Sequence, residues 1–405
     1  MPKKIVILTT GQPSTNPRMV KEYTALKSAG FEVKVFYSYW QKWACHADGV
    51  WFAGGELNKE DFVMVGGSPS GNKWLYTVSK VRQKINQVIY RKTGKRLVGA
   101  ISRVTPYLIS AAKSERADLY IAHNVGALPA AVIGANKFGA KAAFDAEDYH
   151  RGEFKYLEDK ASLHLVAIED IYLPKCTYVT AASPLIASAY QGLYPTSVFT
   201  VILNVFSKCY LQEIRHHSNE YLTMFWFSQT VGPNRGLETV VKALNLLDKS
   251  YKVELYLMGN IVHGFDQLLL SLSDTKCIHF LPPVIPDEVF SVASRFDIGL
   301  SLERPDFKNR DVCLTNKIFT YILAGNCIIY SDTKAQVEFL EKYPDTGFMF
   351  EAGNEQQLSA IIKNLFDDRN ELIAAKEASL RLADKELNWE NESVKFINLI
   401  NQTLK

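Results

Sequence analysis

The chain reads as an α/β protein built from two doubly wound, Rossmann-like domains, and three observations predict this. Short apolar runs alternate with helical periods along all 405 residues. The runs are apolar on both faces, as in Cys327-Ile328-Ile329-Tyr330, which parallel strands covered on both sides require. The length also exceeds that of one ordinary domain.

Taken in order, strands are expected at 5–9, 33–38, 118–122, 141–145, 177–181 and 199–203, then at 222–227, 253–258, 277–281, 297–302 and 326–331. Helical periods fall at 19–29, 127–138, 237–248, 316–324, 355–366 and 369–385. Asn16 caps the first of these and Pro17 suits its first turn. The polar stretch 205–221 breaks the rhythm and reads as a linker between domains at 1–204 and 222–388. Its His216-His217 pair reads as solvated rather than as a metal site. In open α/β sheets ligands gather beyond the carboxyl ends of the strands, so two such domains facing across a cleft would hold a ligand between them.

Hydrophobic residues make up 47% and charged residues 22%, which places the chain among globular proteins with sizeable cores. No apolar run reaches the roughly 18 residues that span a bilayer. The first ten residues lead straight into a strand and lack the long apolar region of a secretory leader. The six cysteines are scattered without metal or redox spacing and are expected as buried, reduced thiols of a cytoplasmic protein. The net charge is +3, too small for a nucleic-acid binder with no stacking motif. That charge is uneven: residues 73–116 carry eleven Lys/Arg against Glu115 alone, a net +10, leaving −7 for the rest. A basic block of this kind points to an acidic partner. Within it Val78, Val81, Ile85, Val88 and Ile89 share one helical face, and Leu97, Ile101, Val104 and Leu108 repeat at near-heptad spacing. Such a pair of helices either docks on anionic lipid or packs its apolar faces inward.

The residues just after strands carry the chemistry. Gly11 allows close backbone approach, and Arg18 lies on the helix that follows. His123 ends a buried strand, where its imidazole can hold a hydroxyl or place positive charge beside a reacting centre. Glu147 and Asp148 follow the next strand, suited to orienting a hydroxyl acceptor or capping a helix. In the second half, Trp226-Phe-Ser-Gln229-Thr-Val-Gly-Pro-Asn-Arg235-Gly236 runs from an apolar strand through a Gly/Pro loop to a cation at a helix start. Helix starts offer unpaired N–H groups and partial positive charge, and a guanidinium matches phosphate oxygens. Gly259-Asn260 and Pro283 end two further strands and suit a flat ring. Thr315 or Asn316 is expected to cap the helix at 316–324, with Lys317 beside its free N–H groups. Two helix starts, each with a cation, suggest a diphosphate.

These motifs together resemble the two-domain GT-B glycosyltransferases, specifically retaining family 4 of the bacterial surface-polysaccharide type. The resemblance covers nearly the whole length. Its signatures here are Gly11 to Asn16-Pro17-Arg18, His123-Asn124 before Leu128-Pro129, Arg235-Gly236-Leu237-Glu238, Asn316-Lys317-Ile318-Phe319-Thr320-Tyr321 before Ala324-Gly325, and Trp389-Glu390. The resemblance implies a closing helix, 389–405, that returns to the first domain. Two features depart from it. Gln229 stands where the family usually has an Arg, and Val312 and Thr320 stand where it has two glutamates, the second contacting the nucleotide ribose.

The resulting expectation is a metal-independent hexosyl-type transferase with no cofactor, whose donor is a nucleoside diphosphate-sugar. Its acceptor would be a hydroxyl of a lipid-linked or polysaccharide glycan. It would lie in the cytoplasm or at the inner face of the cell membrane, with no nucleic acid as partner. His123, Arg235 and Lys317 are the expected catalytic residues. Gly11, Gln229, Gly259, Asn260, Pro283, Asn316 and Thr320 are expected at the donor, and Arg18, Glu147 and Asp148 at the acceptor. The missing glutamates leave a second reading, a non-catalytic nucleotide-sugar-binding protein. A nucleotide-sugar epimerase is a third, disfavoured because it needs no acceptor domain with a basic amphipathic face.

Overall fold

A computed structural model describes residues 2–154, 160–214, 220–274 and 276–405. By its contacts the chain divides into two compact units, Met1–Leu203 with Ser393–Lys405, and Asn204–Glu392.

The first unit runs β1 (Lys4–Thr9), α1 (Pro17–Ser28), β2 (Glu32–Ser38), α2 (Lys42–Gly54), β3 (Phe62–Val65), α3 (Lys73–Thr93) and α4 (Thr105–Ser114). It continues with β4 (Leu119–His123), α5 (Leu128–Phe138), β5 (Lys141–Ala146), α6 (Lys160–Tyr172), β6 (Tyr178–Ala181), α7 (Pro184–Leu193) and β7 (Phe199–Val201). Its sheet has the order β3-β2-β1-β4-β5-β6-β7, with every pairing parallel. β1, with Ile5, Val6, Ile7 and Leu8 fully buried, lies inside it between β2 and β4. Asn16 caps α1 by accepting from the Met19 amide at 3.0 Å, and Pro17 fills the first helical position.

The second unit runs β8 (Leu222–Val231), α8 (Leu237–Asn245), β9 (Val253–Ile261), α9 (Phe265–Leu272), β10 (Ile278–Leu281), α10 (Val289–Ala293) and β11 (Ile298–Ser301). It continues with α11 (Lys308–Val312), α12 (Asn316–Ala324), β12 (Cys327–Ser331), α13 (Lys334–Lys342), β13 (Gly347–Phe350), α14 (Glu355–Asp367) and α15 (Arg369–Lys385). Its sheet order is β10-β9-β8-β11-β12-β13, again all parallel. In both sheets the strand order reverses beside the first strand, between β1 and β4 and between β8 and β11. A reversal of this kind splays the following loops apart and leaves a crevice at the carboxyl ends.

Several expectations differ from the structure. β3 and β13 were not anticipated; each is a four-residue edge strand with one neighbour only. Residues 97–108 are not one helix. Val98–Ala100 form a single 3-10 turn and α4 starts at Thr105, with Val104 and Leu108 packed inside. The stretch read as a linker packs on the second unit as far as it is described. Tyr210 stacks on Phe290 at 4.5 Å, Phe206 meets the same ring edge-on at 5.0 Å, and the Gln212 amide donates to the Leu323 carbonyl at 3.0 Å. His216 and His217 lie outside the described residues. The closing helix, α16 (Trp389–Thr403), begins on the second unit, where the Trp389 amide donates to the Phe206 carbonyl. Only from Ser393 onward does it belong with the first. Of the cysteines, Cys176, Cys277 and Cys327 are buried, Cys209 is exposed, and none is bridged.

Candidate donor site and a buried charge network

In the second unit the ends of β8 and β11 and the starts of α8 and α12 lie together. β8 is long and irregular, with a register shift between Phe227 and Thr230 against β9. The Asn260 side chain donates to the Gln229 carbonyl at 3.1 Å, holding that shifted segment to the end of β9. Gly259 is required here, because a Cβ would lie 2.2 Å from the Ser228 carbonyl oxygen. After β8 the chain turns through Asn234 and Gly236, both with left-handed backbone, into α8. A Cβ on Gly236 would rest 3.6 Å from Leu302, so the start of α8 sits beside the end of β11.

Arg235 stands at this turn, partly buried, and joins no ion pair among the described residues. Lys317, on the first turn of α12, is committed. Its Nζ lies 3.1 Å from Glu303, just past β11, and 5.7 Å above the ring of fully buried Trp226. An incoming phosphate must therefore compete with Glu303 for Lys317 but not with any acid for Arg235. Neither helix start is closed by a side chain. α8 begins at Gly236, and Thr315 precedes α12 in extended conformation without a capping bond, its buried hydroxyl without a partner among the described residues. The capping role expected of Thr315 or Asn316 is thus not taken up, and the first N–H groups of both helices remain available to an anion.

Other expected donor residues separate from this group. Thr320 is buried and turns its hydroxyl back to the Asn316 carbonyl at 3.0 Å, so it presents nothing to a ribose. Val312 is buried as well. Asn316 is exposed and its side-chain oxygen accepts from Asn204 at 2.9 Å. Pro283 lies exposed in the loop after β10. One residue escaped sequence reasoning. Arg310, on α11, donates to the Asn234 carbonyl at 3.3 Å and lies 3.6 Å from Asp306. It brings a third cation to the Arg235 turn from a five-residue helix whose sequence signal is the Asp306–Arg310 spacing of four.

In the first unit the reversal between β1 and β4 holds a buried charge network. Arg18 reaches from α1 to Asp145 at the end of β5 with two bonds of 2.7 and 2.8 Å, and donates to the Ile202 carbonyl at 2.7 Å. Thr180 donates to the same carboxylate at 2.5 Å. His123 is fully buried; Nε2 lies 3.1 Å from Glu22, and Nδ1 lies 3.1 Å from Glu147 and 3.3 Å from Asp145. Burial alone would lower the His123 pKa, but the surrounding carboxylates outweigh it and hold it well above its usual value. Burial would likewise raise Asp145, yet Arg18 and His123 keep it well below the carboxylate range. Burial and the neighbouring Arg18 push Lys21 down to about 7. Arg18 and His123 thus have their polar atoms occupied inside the protein. Of the expected acceptor and catalytic residues here, Glu147 and Asp148 reach the surface. Asn124, with left-handed backbone, accepts from the Thr10 hydroxyl at 2.8 Å, and Gly11 accepts from the Ser38 amide at 3.1 Å, so the loops after β1, β2 and β4 are tied together. Ligand atoms of Glu22, His123 and Asp145 fall within 4.8 Å of one another, and Arg18 already pairs with Asp145 and lies 3.8 Å from Glu22.

No family model matches the chain, and no curated protein does. Solved structures do. HepE from Anabaena, crystallised with UDP, is similar over 98% of this chain and 100% of its own, with TM-score 0.70 and 14% identity. The sucrose-phosphate synthase of Thermosynechococcus elongatus is similar over 99% and 98%, with TM-score 0.67 and 12% identity. A putative UDP-N-acetylglucosamine 2-epimerase from Listeria monocytogenes is similar over 100% and 97%, with TM-score 0.61 and 11% identity. The chain has the GT-B type of fold. That fold also serves the Listeria protein, so the likeness by itself does not choose between transfer and epimerisation.

No helix among the described residues is long and apolar enough to cross a membrane.

Proposed function

We propose that this protein is a glycosyltransferase that moves a sugar from a nucleoside diphosphate-sugar to a hydroxyl of a lipid-linked or polysaccharide glycan. The observation that carries the reading is Arg235, a cation with no acidic partner among the described residues, set at an uncapped helix start where the β8–β11 order reverses. The main electrostatic demand of such a transfer is charge growing on the departing diphosphate. Arg235, the N–H groups opening α8 and α12, and Lys317 once released from Glu303 meet that demand. Arg310 supplements them where Gln229 offers no charge. Retention of configuration and independence from a metal ion belong to the same proposal. The UDP complex of HepE supports the donor class, and the basic face of the first unit favours an acceptor-using enzyme over an epimerase. In the first unit Glu147 and Asp148 are proposed to orient the acceptor hydroxyl, with His123 holding Glu147 in place and Arg18 supporting the network through Asp145. The site of action is proposed to be the cytoplasmic face of a membrane.

Release of diphosphate from a panel of nucleoside diphosphate-sugars tests the reading. Arg235→Ala should lower turnover about ten- to a hundredfold, the value of one or two charged hydrogen bonds, while leaving the melting temperature unchanged. Unaltered turnover removes Arg235 from the mechanism. Thr320, buried and turned away from any ribose, favours the second reading, a nucleotide-sugar-binding protein without turnover. Tight binding of a nucleoside diphosphate by calorimetry, with no sugar released from any donor, would select it.

A further inference from the structure

α3 is inside out. Its largely polar side, joined by Tyr76 and Tyr90, faces the protein: Gln83 and Gln87 donate to the backbone carbonyls of Ile101 and Ala100 at 3.1 Å each, Ser79 is fully buried, and Tyr90 lies against His164 at 4.2 Å. Its apolar side faces outward. Trp74 is 73% exposed, Val81 51%, Ile85 54% and Val88 48%. The intervals of seven, four and three place these four on one stripe. Eight cations surround the stripe, Lys73, Lys80, Arg82, Lys84, Arg91, Lys92, Lys95 and Arg96. All eight are exposed, and none joins an ion pair among the described residues. Arg103, also in the basic block, is different; it donates to the carbonyls of Gly66 and Tyr39 and is structural.

Two further tryptophans lie at the same end. Trp40 is 62% and Trp43 46% exposed. The ring of Tyr39 meets Tyr76 of α3 edge-on at 5.6 Å, and Arg103 ties the Tyr39 carbonyl to the base of the helix. Three of the six tryptophans of the chain thus stand at the surface beside a helix whose cations join no ion pair among the described residues. Indole rings favour the boundary between water and hydrocarbon, and basic flanks favour anionic headgroups.

We propose that this surface docks the protein on an anionic lipid bilayer, with Trp74, Val81, Ile85 and Val88 entering the headgroup boundary and Trp40 and Trp43 anchoring beside them. A second copy of the chain fits poorly, because two such faces would oppose like charges. A glycan platform would use the rings but has no need of Val81, Ile85, Val88 or the cations. The inference deepens the proposed lipid-linked acceptor by naming the surface that brings the enzyme to it.

Co-sedimentation of the full chain with vesicles tests this. Phosphatidylcholine vesicles are compared with vesicles in which a third of the lipid is phosphatidylglycerol, at low and at half-molar salt. Binding is expected with the anionic vesicles at low salt and should fall steeply in salt. Ile85→Asp and Trp74→Ala should abolish it without changing the thermal melt, since both side chains are mostly in water. Replacing Lys80 or Lys84 by Ala should weaken binding roughly fivefold each. No binding to anionic vesicles at low salt overturns the proposal. So does unaltered binding by Ile85→Asp, or retention on a polysaccharide column in place of vesicles, or a dimer that Ile85→Asp dissolves. The assay needs neither donor nor acceptor, so its failure is distinct from failure of diphosphate release.

Discussion

Changing Asp145 to Asn keeps its shape but takes from buried Arg18 its closest carboxylate, leaving Glu22 at 3.8 Å, and from buried His123 one of three. A buried charge stripped of its partner typically costs about 3–5 kcal/mol. Urea unfolding of Asp145→Asn should show a loss of that order, and a loss below about 1 kcal/mol would mean that packing, not charge, holds the network. Its reach explains the sensitivity: one carboxylate joins α1, β4, β5, β6 and, through Arg18, the carbonyl of Ile202 after β7. None of this was legible in the sequence. Arg18 and Asp145 are 127 residues apart, and a strand-end histidine looks the same whether it faces a ligand or three carboxylates. The place of Arg235 at a turn between a strand and a helix was legible because strand, glycine turn, cation and helix start are contiguous.

Among the elements, α12 depends on an absence. Gly299 in β11 lets the ring of Tyr321 lie against the strand; a Cβ there would approach the ring to 2.3 Å. The buried Tyr321 hydroxyl then donates to the carbonyls of Phe225 or Leu300, locking α12 to β8 and β11. Gly299→Ala must push α12 outward and should cost about 1–3 kcal/mol in thermal or urea unfolding, as overpacking generally does. Because Lys317 rides on α12, donor turnover in that variant should fall as well. The bounds of α12 were readable from Lys317, the apolar run and Gly325, which takes the left-handed conformation at its end. The orientation of α3 was not. Periodicity shows that a helix has an apolar side, but the polar bonds of Gln83 and Gln87 decide which side turns inward. The edge strands β3 and β13 escaped, each only four residues long and neither buried throughout, whereas the edge strands β7 and β10 were anticipated from their apolar runs.

At the scale of the whole molecule, pH should act through a second cluster in the first unit. Burial would lower His150, but Glu153 at 2.6 Å and other acids outweigh it and push it up to about 9. Burial pushes Glu169 up to about 7, although Arg151 lies 3.2 Å away and Tyr190 donates to it at 2.7 Å. Both groups hold protons more tightly folded than unfolded. The contribution of His150 is therefore complete below about pH 6.5 and lost as pH rises towards 9, and Glu169 loses stability earlier, between about 4.5 and 7. Lys21, lowered in the fold, works in the opposite sense above about 7. The quantity to read is thus the difference between wild type and His150→Gln. Urea unfolding should show wild type losing about 1–3 kcal/mol more than the variant from pH 6.5 to 9. Parallel curves would exclude His150.

The chain leaves its first unit at Leu203 and comes back to it at Ser393, and Phe396 and Ile400 of the returning segment are buried. Anyone dissecting the gene into halves therefore faces an asymmetry. The carboxyl-terminal portion is an uninterrupted stretch that one cut at each end excises, whereas the amino-terminal portion is stitched from two distant pieces. A stop codon after Glu392 would strip apolar cover from the half translated first, hundreds of codons upstream of the lesion.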